Sequence, residues 1–331
     1  MENKNLENIK GKKVLVVGMG KSGIAAVQAM LALGAEVAID GQLLNFLEGK
    51  NVTCYFHAVP VAEERFDMLI LSPGVDPALP FVQEAKAHGA EIIGELEIAY
   101  RIARGTFVAI TGTNGKTTTT TLTGEIFKRS GRKTYVVGNI GVAVISKALE
   151  ADEDDWLVTE TSSFQLETID QFRPKVSAIL NITEDHLNRH HTMEEYIRVK
   201  ELITKNQGPE DVCVLNYEDE VLRKFGENIV PKVVYFSSLR KLDRGIYLDG
   251  DQIILKTEKE EIPIVKTGEL KILGRHNHEN VMAAAAMAYY AGVSVESIRR
   301  SVCEFVAVPH RIEYVTEKNG VAYYNDSKGT N

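Results

Sequence analysis

Cysteine and tryptophan are scarce in this chain. The 331 residues include three cysteines and one tryptophan. Cys54, Cys213 and Cys303 form no Cys-x-x-Cys pair, which disfavours a zinc site or a disulfide framework. Each of them lies in an apolar segment, so we expect all three in the core.

Long apolar runs are also missing. No run approaches the roughly 18 residues that a membrane-spanning helix needs. The first five residues lack the basic and apolar regions of a signal peptide. We therefore expect a cytoplasmic protein.

The chain has no excess of positive charge. Its 38 basic and 46 acidic side chains give a formal net charge of −8, which argues against a surface for nonspecific nucleic-acid binding. Local lysines and backbone amides can still hold anionic metabolites, which are the expected partners. An apolar content of 44% with 25% charged residues is that of a globular protein, and the length suggests about two domains.

The most informative pattern is a phosphate-binding loop. Residues 111–118 read Thr-Gly-Thr-Asn-Gly-Lys-Thr-Thr and follow the apolar run 106–110. A strand, a glycine turn and a helix N-terminus together present backbone N–H groups to an anion. We predict that Lys116 reaches the β- and γ-phosphates of a nucleotide and that Thr117 ligates Mg²⁺. The loop is a variant, because Ile110 stands where the general pattern has its first glycine; a Gly/Thr-rich turn is the alternative.

The first hundred residues alternate strand-like and helix-like segments, as in a parallel α/β sheet. Between a strand at 12–17 and a helix at 24–33, residues 18–23 read Gly-Met-Gly-Lys-Ser-Gly and satisfy Gly-x-Gly-x-x-Gly. Asp40 closes the second strand at about the distance expected for a ribose-binding carboxylate. By itself this suggests a nicotinamide enzyme, but any nucleotide phosphate can use such a loop, and a plain tight turn is the alternative.

The rest of this first region contains a turn, a short connection and a final helix. Residues 72–74, Ser-Pro-Gly, follow the apolar strand 68–71 and should turn at the carboxyl edge of the sheet, where open α/β folds bind ligands; a purely structural turn is the alternative. The connection after Asp40 is short, with room for a brief helix around 43–47 before a strand near Val52. A helix over 94–103 ends at residues 104–105, where we place a domain boundary.

Strand and helix alternation then restarts, so the phosphate loop opens a second sheet. Residues 138–141, Gly-Asn-Ile-Gly, read as a turn that can present the Asn139 amide to a ligand. Glu160 ends an apolar strand at 156–160. A strand-terminal acid beside a phosphate loop suits Mg²⁺, and a solvated acid is the alternative.

Histidines follow the next strand. His186 ends the segment Ile-Leu-Asn-Ile-Thr-Glu-Asp-His at 179–186, and it is a metal ligand, a group that orients a phosphate oxygen, or a structural residue. His190 and His191 look like surface loop residues.

Lys200 lies on the apolar stripe of a predicted helix. Thr192 and Glu195 have the spacing of a capping box. The 3.6-residue period places Lys200 on one face with Met193, Tyr196, Ile197 and Ile203. A buried ammonium is costly unless it is paired or neutral, and a neutral lysine is a nucleophile towards CO₂. A lysine snorkelling from the edge of the stripe is the alternative.

The later segments look mainly structural. Strands are expected at 212–215 and 233–236, and a hairpin over 245–265 turns at 249–251. Residues 274–280, Gly-Arg-His-Asn-His-Glu-Asn, precede a helix at 281–290. Asn277 near the start of that helix either reads an adenine edge or caps the helix.

Taken in order, these segments resemble the ATP-dependent Mur ligases of peptidoglycan synthesis. The resemblance rests on the phosphate loop 111–118 and on motifs spread over nearly the whole chain, namely residues 138–141, 160–166, 181–186, Lys200, 274–280, Pro309-His310-Arg311 and Asp326-Ser327-Lys328. The first glycine loop with residues 72–74 is similar to the branch that adds D-glutamate to UDP-N-acetylmuramoyl-L-alanine.

The resemblance implies a fold and a reaction. It implies a Rossmann-like N-terminal domain at 1–104, a P-loop-type central α/β domain at 105–306 and the beginning of a third α/β domain at 307–331. MgATP would phosphorylate the carboxylate of the UDP-linked muramoyl-L-alanine, and the amine of D-glutamate would attack the acyl phosphate. The enzyme is expected to be a monomer.

The resemblance also implies a role for each matched residue. The catalytic and metal-binding residues would be Lys116, Thr117, Glu160 at a first Mg²⁺, and His186 with a carbamylated Lys200 at a second. ATP would contact Gly112, Thr113, Asn114, Gly115, Lys116, Thr117, Thr118, Asn277, Arg311 and Asp326. The UDP-linked substrate would contact Gly18, Gly20, Lys21, Ser22, Asp40, Ser72, Pro73, Gly74 and Asn139. Lys328 and Thr330 would lie on the D-glutamate side.

The chain departs from the family in two places. Family members carry a third α/β domain, whereas this sequence ends at Asn331, so we expect the isolated chain to ligate weakly or not at all and residues 312–325 to expose apolar edges. The short connection after Asp40 removes residues expected to touch uracil.

Three other functions compete with this interpretation. A folylpolyglutamate-type ligase shares the phosphate loop but usually places it near the N-terminus. An NAD(P)-dependent oxidoreductase explains residues 18–23 but leaves Lys116, Glu160 and Lys200 without a role. A nucleotide-binding module without catalysis is the third.

Overall fold

The structure is a computed structural model that describes residues 8–41, 47–55, 61, 63–306, 313–318 and 320–327. The chain divides into two compact units. Unit 1 comprises Met1–Thr106, Val137–Leu157 and Thr161–Phe172, and unit 2 comprises Phe107–Val136, Val158–Glu160 and Arg173–Asn331. The predicted mixed α/β fold with parallel sheets is confirmed.

The N-terminal sheet is parallel and has the strand order β3-β2-β1-β4-β5. Its strands are β1 (Lys13–Val17), β2 (Glu36–Asp40), β3 (Val52–Tyr55), β4 (Met68–Leu71) and β5 (Glu91–Gly94). The accompanying helices in the described residues are α1 (Lys21–Ala32), α2 (Pro80–Ala87) and α3 (Glu95–Ile102). The central strands β1 and β4 are almost entirely buried, which explains their unbroken apolar sequences.

The local boundaries in this sheet differ from the predicted ones. Helix α1 begins at Lys21 rather than at residue 24, because the glycine loop leads directly into the first helical turn. Helix α2 was not predicted, although Pro80 at its first position is a common helix start. The predicted helix over 94–103 is α3, and Gly94 belongs to β5.

The second sheet has nine strands in the order β14-β13-β12-β11-β10-β9-β6-β8-β7. The strands are β6 (Thr106–Thr111), β7 (Thr134–Gly138), β8 (Trp156–Glu160), β9 (Val176–Ile179), β10 (Val212–Asn216), β11 (Lys232–Ser237), β12 (Gly245–Asp249), β13 (Gln252–Lys256) and β14 (Glu261–Lys266). Strands β6, β9, β10 and β11 run parallel, and β12, β13 and β14 form an antiparallel extension. The predicted hairpin with its turn at 249–251 is therefore confirmed and gains a third strand.

The later helices of the described chain follow the same alternation. They are α4 (Lys116–Arg129), α5 (Ile145–Ala148), α6 (Ser163–Leu166), α7 (Leu187–His190), α8 (Met193–Glu201), α9 (Glu220–Gly226), α10 (Arg275–Tyr290) and α11 (Val295–Glu304). Short 3₁₀ turns lie at Leu202–Thr204 and Thr267–Glu269. Helix α10 begins six residues before the predicted residue 281, because its polar first turn continues directly from Gly274, whose φ is +93°.

The cysteines are not all in the core. Cys213 is buried in β10 and Cys303 is half-buried, but Cys54 is exposed. The prediction for Cys54 was wrong because β3 is the edge strand of its sheet and has little packed against it.

The last described segment is a two-stranded antiparallel sheet of β15 (Glu313–Lys318) and β16 (Val321–Asn325). Val315, Val321, Tyr323 and Tyr324 are exposed on it. In the described ranges no helix combines the length and the apolar character needed to cross a membrane.

Candidate functional site

The phosphate loop of unit 2 connects β6 to α4, as predicted. Gly112 and Gly115 have φ values of +144° and +84°, which side chains rarely adopt. A Cβ atom on Gly115 would lie 2.4 Å from Oδ1 of Asn280, so glycine is required there for space as well as conformation. No side chain caps the N-terminus of α4, and such a helix terminus is suited to an anion.

The loop is held by the segment that follows β9. Asn181 Oδ1 accepts from the N–H of Asn114 at 2.8 Å, and Asn181 Nδ2 donates to the carbonyl of Asn114 at 3.1 Å. The N–H of Thr113 donates to the carbonyl of Asn181 at 2.9 Å. Thr113 Oγ1 accepts from the N–H of Thr183 at 3.0 Å and lies 3.1 Å from the hydroxyl of Tyr196. These bonds fix the loop from outside.

Two lysine amines converge on one carbonyl oxygen of the loop. Lys116 Nζ donates to the carbonyl of Gly112 at 2.9 Å and to that of Thr113 at 2.8 Å. Lys200 Nζ, from α8, also donates to the carbonyl of Gly112 at 2.9 Å. Lys116 therefore places its amine where an anionic phosphate would bind, and the amine of Lys200 lies beside it.

Lys200 is 2% exposed, which confirms its predicted burial. Its Nζ lies 4.7 Å from the ring centroid of Tyr196. Burial, and then the charge of Lys116, lowers the pKa of Lys200 to about 7, while Asp185 acts in the opposite direction. The amine is therefore partly neutral near neutral pH, and nucleophilic in that form.

The predicted capping box at the start of α8 is half present. Thr192 Oγ1 accepts from the N–H of Glu195 at 3.2 Å. The carboxylate of Glu195 instead forms two bonds with Arg198, at 2.6 and 2.8 Å.

Glu160 ends β8, the strand next to β6. It is 2% exposed, so the alternative of a solvated acid was wrong. Thr117 lies in the first turn of α4 and is half-buried. Within the described ranges, no group of three or more His, Cys, Asp or Glu side chains is arranged to hold a metal ion.

His186 adopts φ of +52° directly before α7 and is exposed. Its N–H donates to Asp185 Oδ1 at 2.9 Å, and its Nε2 lies 3.4 Å from Asp185 Oδ2. His191 is exposed, as predicted, but His190 is buried. The prediction for His190 was wrong because its ring packs on Tyr196, with centroids 5.3 Å apart.

Asn277 lies in the first turn of α10 and is buried. Its Nδ2 donates to the carbonyl of Leu273 at 2.7 Å, and its Oδ1 accepts from Asn280 Nδ2 at 3.2 Å. Asn280 Oδ1 in turn accepts from Thr119 Oγ1 at 3.2 Å. Asn277 is thus linked through Asn280 to the helix that follows the phosphate loop.

Unit 1 contains the other glycine loop, at the point where the strand order reverses between β1 and β4. Open α/β sheets bind ligands at this position. Gly18 has φ of +85°, and a Cβ atom on Gly23 would lie 1.9 Å from the carbonyl oxygen of Gly18. Ser72 Oγ donates to the same carbonyl at 2.8 Å. The turn after β4 therefore supports the loop after β1.

The other predicted residues of unit 1 lie around this loop. Lys21 and Gly74 are exposed, while Ser22, Asp40 and Pro73 are half-buried. No side chain caps α1. The predicted turn at 138–141 is closed by a bond of 2.8 Å from the N–H of Gly138 to the carbonyl of Val142, and Asn139 is exposed on it.

Some predicted residues lie at or beyond the limits of the described chain. Arg311, with its neighbours 309–310, and Lys328 and Thr330 lie outside the described residues, as does most of the brief helix expected around 43–47. Asp326 follows β16 and is exposed.

Sequence reasoning missed three residues that contact the phosphate loop or the helix after it. Asn181, Tyr196 and Asn280 each touch the loop or the helix that follows it. Asn181 and Asn280 lay within recognised motifs, and Tyr196 lay on the same apolar stripe as Lys200, but no local pattern showed their partners.

Comparisons with known proteins give matches along most of the chain. Residues 12–94 match the family described as "Mur ligase MurD-like, N-terminal domain", and residues 110–288 match "Mur ligase middle domain". A protein of Lachnoclostridium phytofermentans named UDP-N-acetylmuramoylalanine--D-glutamate ligase is 48% identical over 98% of this chain and 74% of its own length. A Clostridioides difficile protein of the same name is 47% identical, with the same two coverages.

Solved structures show the same fold at lower identity. The UDP-N-acetylmuramate-alanine ligase of Thermotoga maritima has a TM-score of 0.57 and 20% identity over 95% of this chain and 74% of that one. The UDP-N-acetylmuramate:L-alanyl-gamma-D-glutamyl-meso-diaminopimelate ligase of Neisseria meningitides has a TM-score of 0.61 and 16% identity over 90% of this chain and 99% of that one. The chain therefore belongs to the Mur ligase family, with an N-terminal domain of the MurD-like type.

Proposed function

We propose that this chain is an ATP-dependent ligase that joins D-glutamate to UDP-N-acetylmuramoyl-L-alanine in peptidoglycan synthesis. The observation that carries the proposal is the phosphate loop of unit 2, where the amines of Lys116 and Lys200 meet at the carbonyl of Gly112. A nicotinamide enzyme has no use for this arrangement. The names of the relatives supply the two substrates.

The reaction consists of two displacements. A carboxylate oxygen of the muramoyl-L-alanine attacks the γ-phosphorus of ATP, and ADP leaves. The amine nitrogen of D-glutamate then attacks the acyl carbon, inorganic phosphate leaves, and the nitrogen loses a proton. Such phosphoryl transfer depends on positioning and on neutralising charge. Lys116 and the backbone N–H groups at the start of α4 would hold the β- and γ-phosphates.

The donor atoms near this loop suit magnesium. Thr117 and Glu160 offer the hard oxygen ligands that Mg²⁺ prefers, and Glu160 is buried at the end of β8, the strand next to β6. A bound Mg²⁺ would neutralise charge on the phosphates. His186 and a carbamylated Lys200 would hold a second ion, and the lowered pKa of Lys200 favours the neutral amine that carbamylation requires.

The remaining residues would bind the substrates. Gly18, Gly20, Lys21 and Ser22, with Asp40 and the turn Ser72-Pro73-Gly74, would hold the uridine diphosphate, and Asn139 the muramoyl part. The ATP set is completed by Gly112, Thr113, Asn114, Gly115, Thr118, Asn277, Arg311 and Asp326, with Lys328 and Thr330 on the D-glutamate side. The use of ATP and UDP-linked substrates suits a cytoplasmic enzyme, and we propose a monomer.

Calorimetric titration tests this function. UDP-N-acetylmuramoyl-L-alanine should bind the chain selectively over UDP-N-acetylglucosamine, and MgATP should bind as well. Absence of selective binding while MgATP still binds would overturn the substrate assignment.

A second assay separates a ligase from a nucleotide-binding module without catalysis. ATP mixed with the UDP-linked substrate, without D-glutamate, should give a burst of ADP and acyl phosphate, and hydrolysis of the acyl phosphate by water then releases the burst of inorganic phosphate. If both ligands bind but no burst is seen, the chain is better described as a nucleotide-binding module without catalysis.

A further inference from the structure

Glu95 is a buried acid in unit 1 that the proposed chemistry does not use. It is the first residue of α3 and is 2% exposed. Its Oε1 accepts from the N–H of Ile145 at 2.7 Å, whereas its Oε2 is buried with no hydrogen-bond partner in the described part of the chain. Burial raises the pKa of this carboxyl to about 7, against the effect of the backbone N–H groups of Ile145 and Val144.

Ile145 is the first residue of α5, a helix of four residues whose N-terminus has no capping side chain of its own. The first N–H groups of a helix need acceptors, and a carboxylate is a favourable one. Glu95 supplies that acceptor from 50 residues away in the sequence. It therefore caps α5 across the fold of unit 1.

Helix α5 directly follows the turn that presents Asn139. That turn is closed between Gly138 and Val142, and both Gly138 and Gly141 have positive φ values. Strand β7 fixes its entry, and the bond from Ile145 to Glu95 fixes its exit. That bond therefore anchors the segment that leads out of the turn carrying Asn139.

Glu95 also borders the other candidate substrate segment of unit 1. It lines a small pocket together with Ser72, Pro73, Gln165 and Thr168, and Ser72 holds the first glycine loop through Gly18. One buried carboxyl thus lies between the turn after β4 and the segment that carries Asn139.

Glu97, two residues further along α3, is a buried acid with different hydrogen bonds. It is also buried, but it accepts from the N–H groups of Asp170, Gln171 and Phe172 and from Arg101. Its oxygens are satisfied, and its partners are far in sequence from the Asn139 turn. Glu97 therefore has the pattern of a structural carboxylate, whereas a buried acid with one unpaired oxygen is costly to keep.

We propose that Glu95 is a positioning residue for the UDP-linked substrate, because it caps α5 and thereby fixes the turn that presents Asn139. This inference rests on the proposed function, in which Asn139 contacts the muramoyl part. Glu95 touches no reacting atom and acts through the backbone of Ile145.

The test compares Glu95→Ala, Glu95→Gln and the matched control Glu97→Gln by calorimetry with three ligands. Glu95→Ala should raise the Kd for UDP-N-acetylmuramoyl-L-alanine about 5- to 10-fold, as expected for one lost hydrogen bond. The Kd values for UDP and MgATP should stay within about 2-fold, because the proposed function assigns Asn139 to the muramoyl part, which both ligands lack. Glu95→Gln should restore most of the affinity, because its amide oxygen can still accept from Ile145.

The control and a coupled variant separate positioning from folding. Glu97→Gln should lower the melting temperature without changing any of the three Kd values. Glu95→Ala added to Asn139→Ala should cause no further loss, because both act through one contact. Equal weakening of all three ligands in Glu95→Ala, or additive losses in the double variant, would overturn the proposal.

The proposal can still be tested if Glu95→Ala does not fold or if the wild-type chain does not bind the substrate. If Glu95→Ala does not fold, amide hydrogen exchange at Ile145 decides the question in Glu95→Gln, where protection should match the wild type; loss of protection there contradicts the capping role. If the wild-type chain itself does not bind UDP-N-acetylmuramoyl-L-alanine, the proposed function fails rather than the role of Glu95.

Discussion

The two glycine loops of this chain look alike in sequence but are built differently. In unit 1, the loop 18–23 is shaped by its own backbone, since Gly23 lies against the carbonyl of Gly18, and one hydroxyl from Ser72 supports it. In unit 2, Asn181 holds the loop 112–118 from outside, and Asn280 lies against Gly115 and accepts from Thr119. The loop also carries Lys116 and receives Lys200.

We propose that the difference suits the two loops to two kinds of phosphate ligand. A glycine loop at a helix N-terminus can bind a diphosphate mainly through its backbone N–H groups, and in unit 1 the exposed Lys21 lies beside them. A loop that also carries the amine of Lys116 against its own carbonyls is suited to a triphosphate, because phosphoryl transfer moves negative charge onto the leaving diphosphate. Similar glycine spacing therefore does not imply the same ligand, and the surrounding charge decides between holding a nucleotide and reacting with it.

The largest effect is expected from Gly23→Ala in the first loop. Its Cβ atom would lie 1.9 Å from a backbone oxygen that cannot move cheaply. The variant should unfold at lower temperature and should not bind UDP-N-acetylmuramoyl-L-alanine detectably. Gly20→Ala is the structural control, because its Cβ atom would meet nothing within 4 Å; equal melting temperatures for the two variants would contradict the described loop.

Glu95 of α3 should make the stability of the folded chain depend on pH. Burial raises the pKa of Glu95 from 4.5 to about 7 in the folded chain. The stability that depends on a protonated Glu95 is therefore fully present below pH 4.5 and is lost as the pH rises through 7. At about 1.4 kcal/mol per pKa unit, the free energy of unfolding should fall by about 3 kcal/mol relative to Glu95→Gln. Denaturant unfolding of both proteins at pH 4 and pH 8 measures this, and a constant difference between them would contradict the raised pKa.

Lys116→Ala should weaken the second loop alone. A bond from an ammonium to a phosphate contributes about 1.5–3 kcal/mol, so MgATP affinity should fall roughly 10- to 100-fold. The Kd for the UDP-linked substrate should not change. Lys128→Ala, an exposed position on the same helix α4, is the matched control, and a similar loss of MgATP affinity there would show a general charge effect.

Gly20→Ala tests whether the first loop touches phosphate. The second glycine of such a loop allows the pyrophosphate to approach the backbone, so a methyl group there should weaken UDP binding about 10-fold through lost backbone bonds. Calorimetry with UDP measures it. An unchanged affinity for UDP would show that UDP does not bind at this loop.

Asn181→Ala should have the smallest effect. It removes the two side-chain bonds to Asn114 but leaves the bond from Thr113 to the carbonyl of residue 181. MgATP affinity should fall less than 10-fold. Asn228→Ala, which loses one exposed bond in the same unit, should have no effect, and a loss in both variants would indicate general destabilisation.

The glycine loops and the alternation of strands and helices could be predicted from the sequence, because their signals are local. The burial of Lys200 followed from the helical period in the same way. The support of the loops could not be predicted, because Asn114 and Asn181 are 67 residues apart and Thr119 and Asn280 are 161 apart. The exposure of Cys54 depends on the order of strands in the sheet, and the burial of His190 on its packing against Tyr196.

The central claim is that the two loops bind two different nucleotides at the same time. Titration of UDP-N-acetylmuramoyl-L-alanine into the chain, alone and after saturation with a non-hydrolysable ATP analogue and Mg²⁺, tests it most directly. Binding with a stoichiometry of about one in both titrations is the predicted result. Competition between the two ligands would contradict the claim, because it would place both nucleotides on one loop.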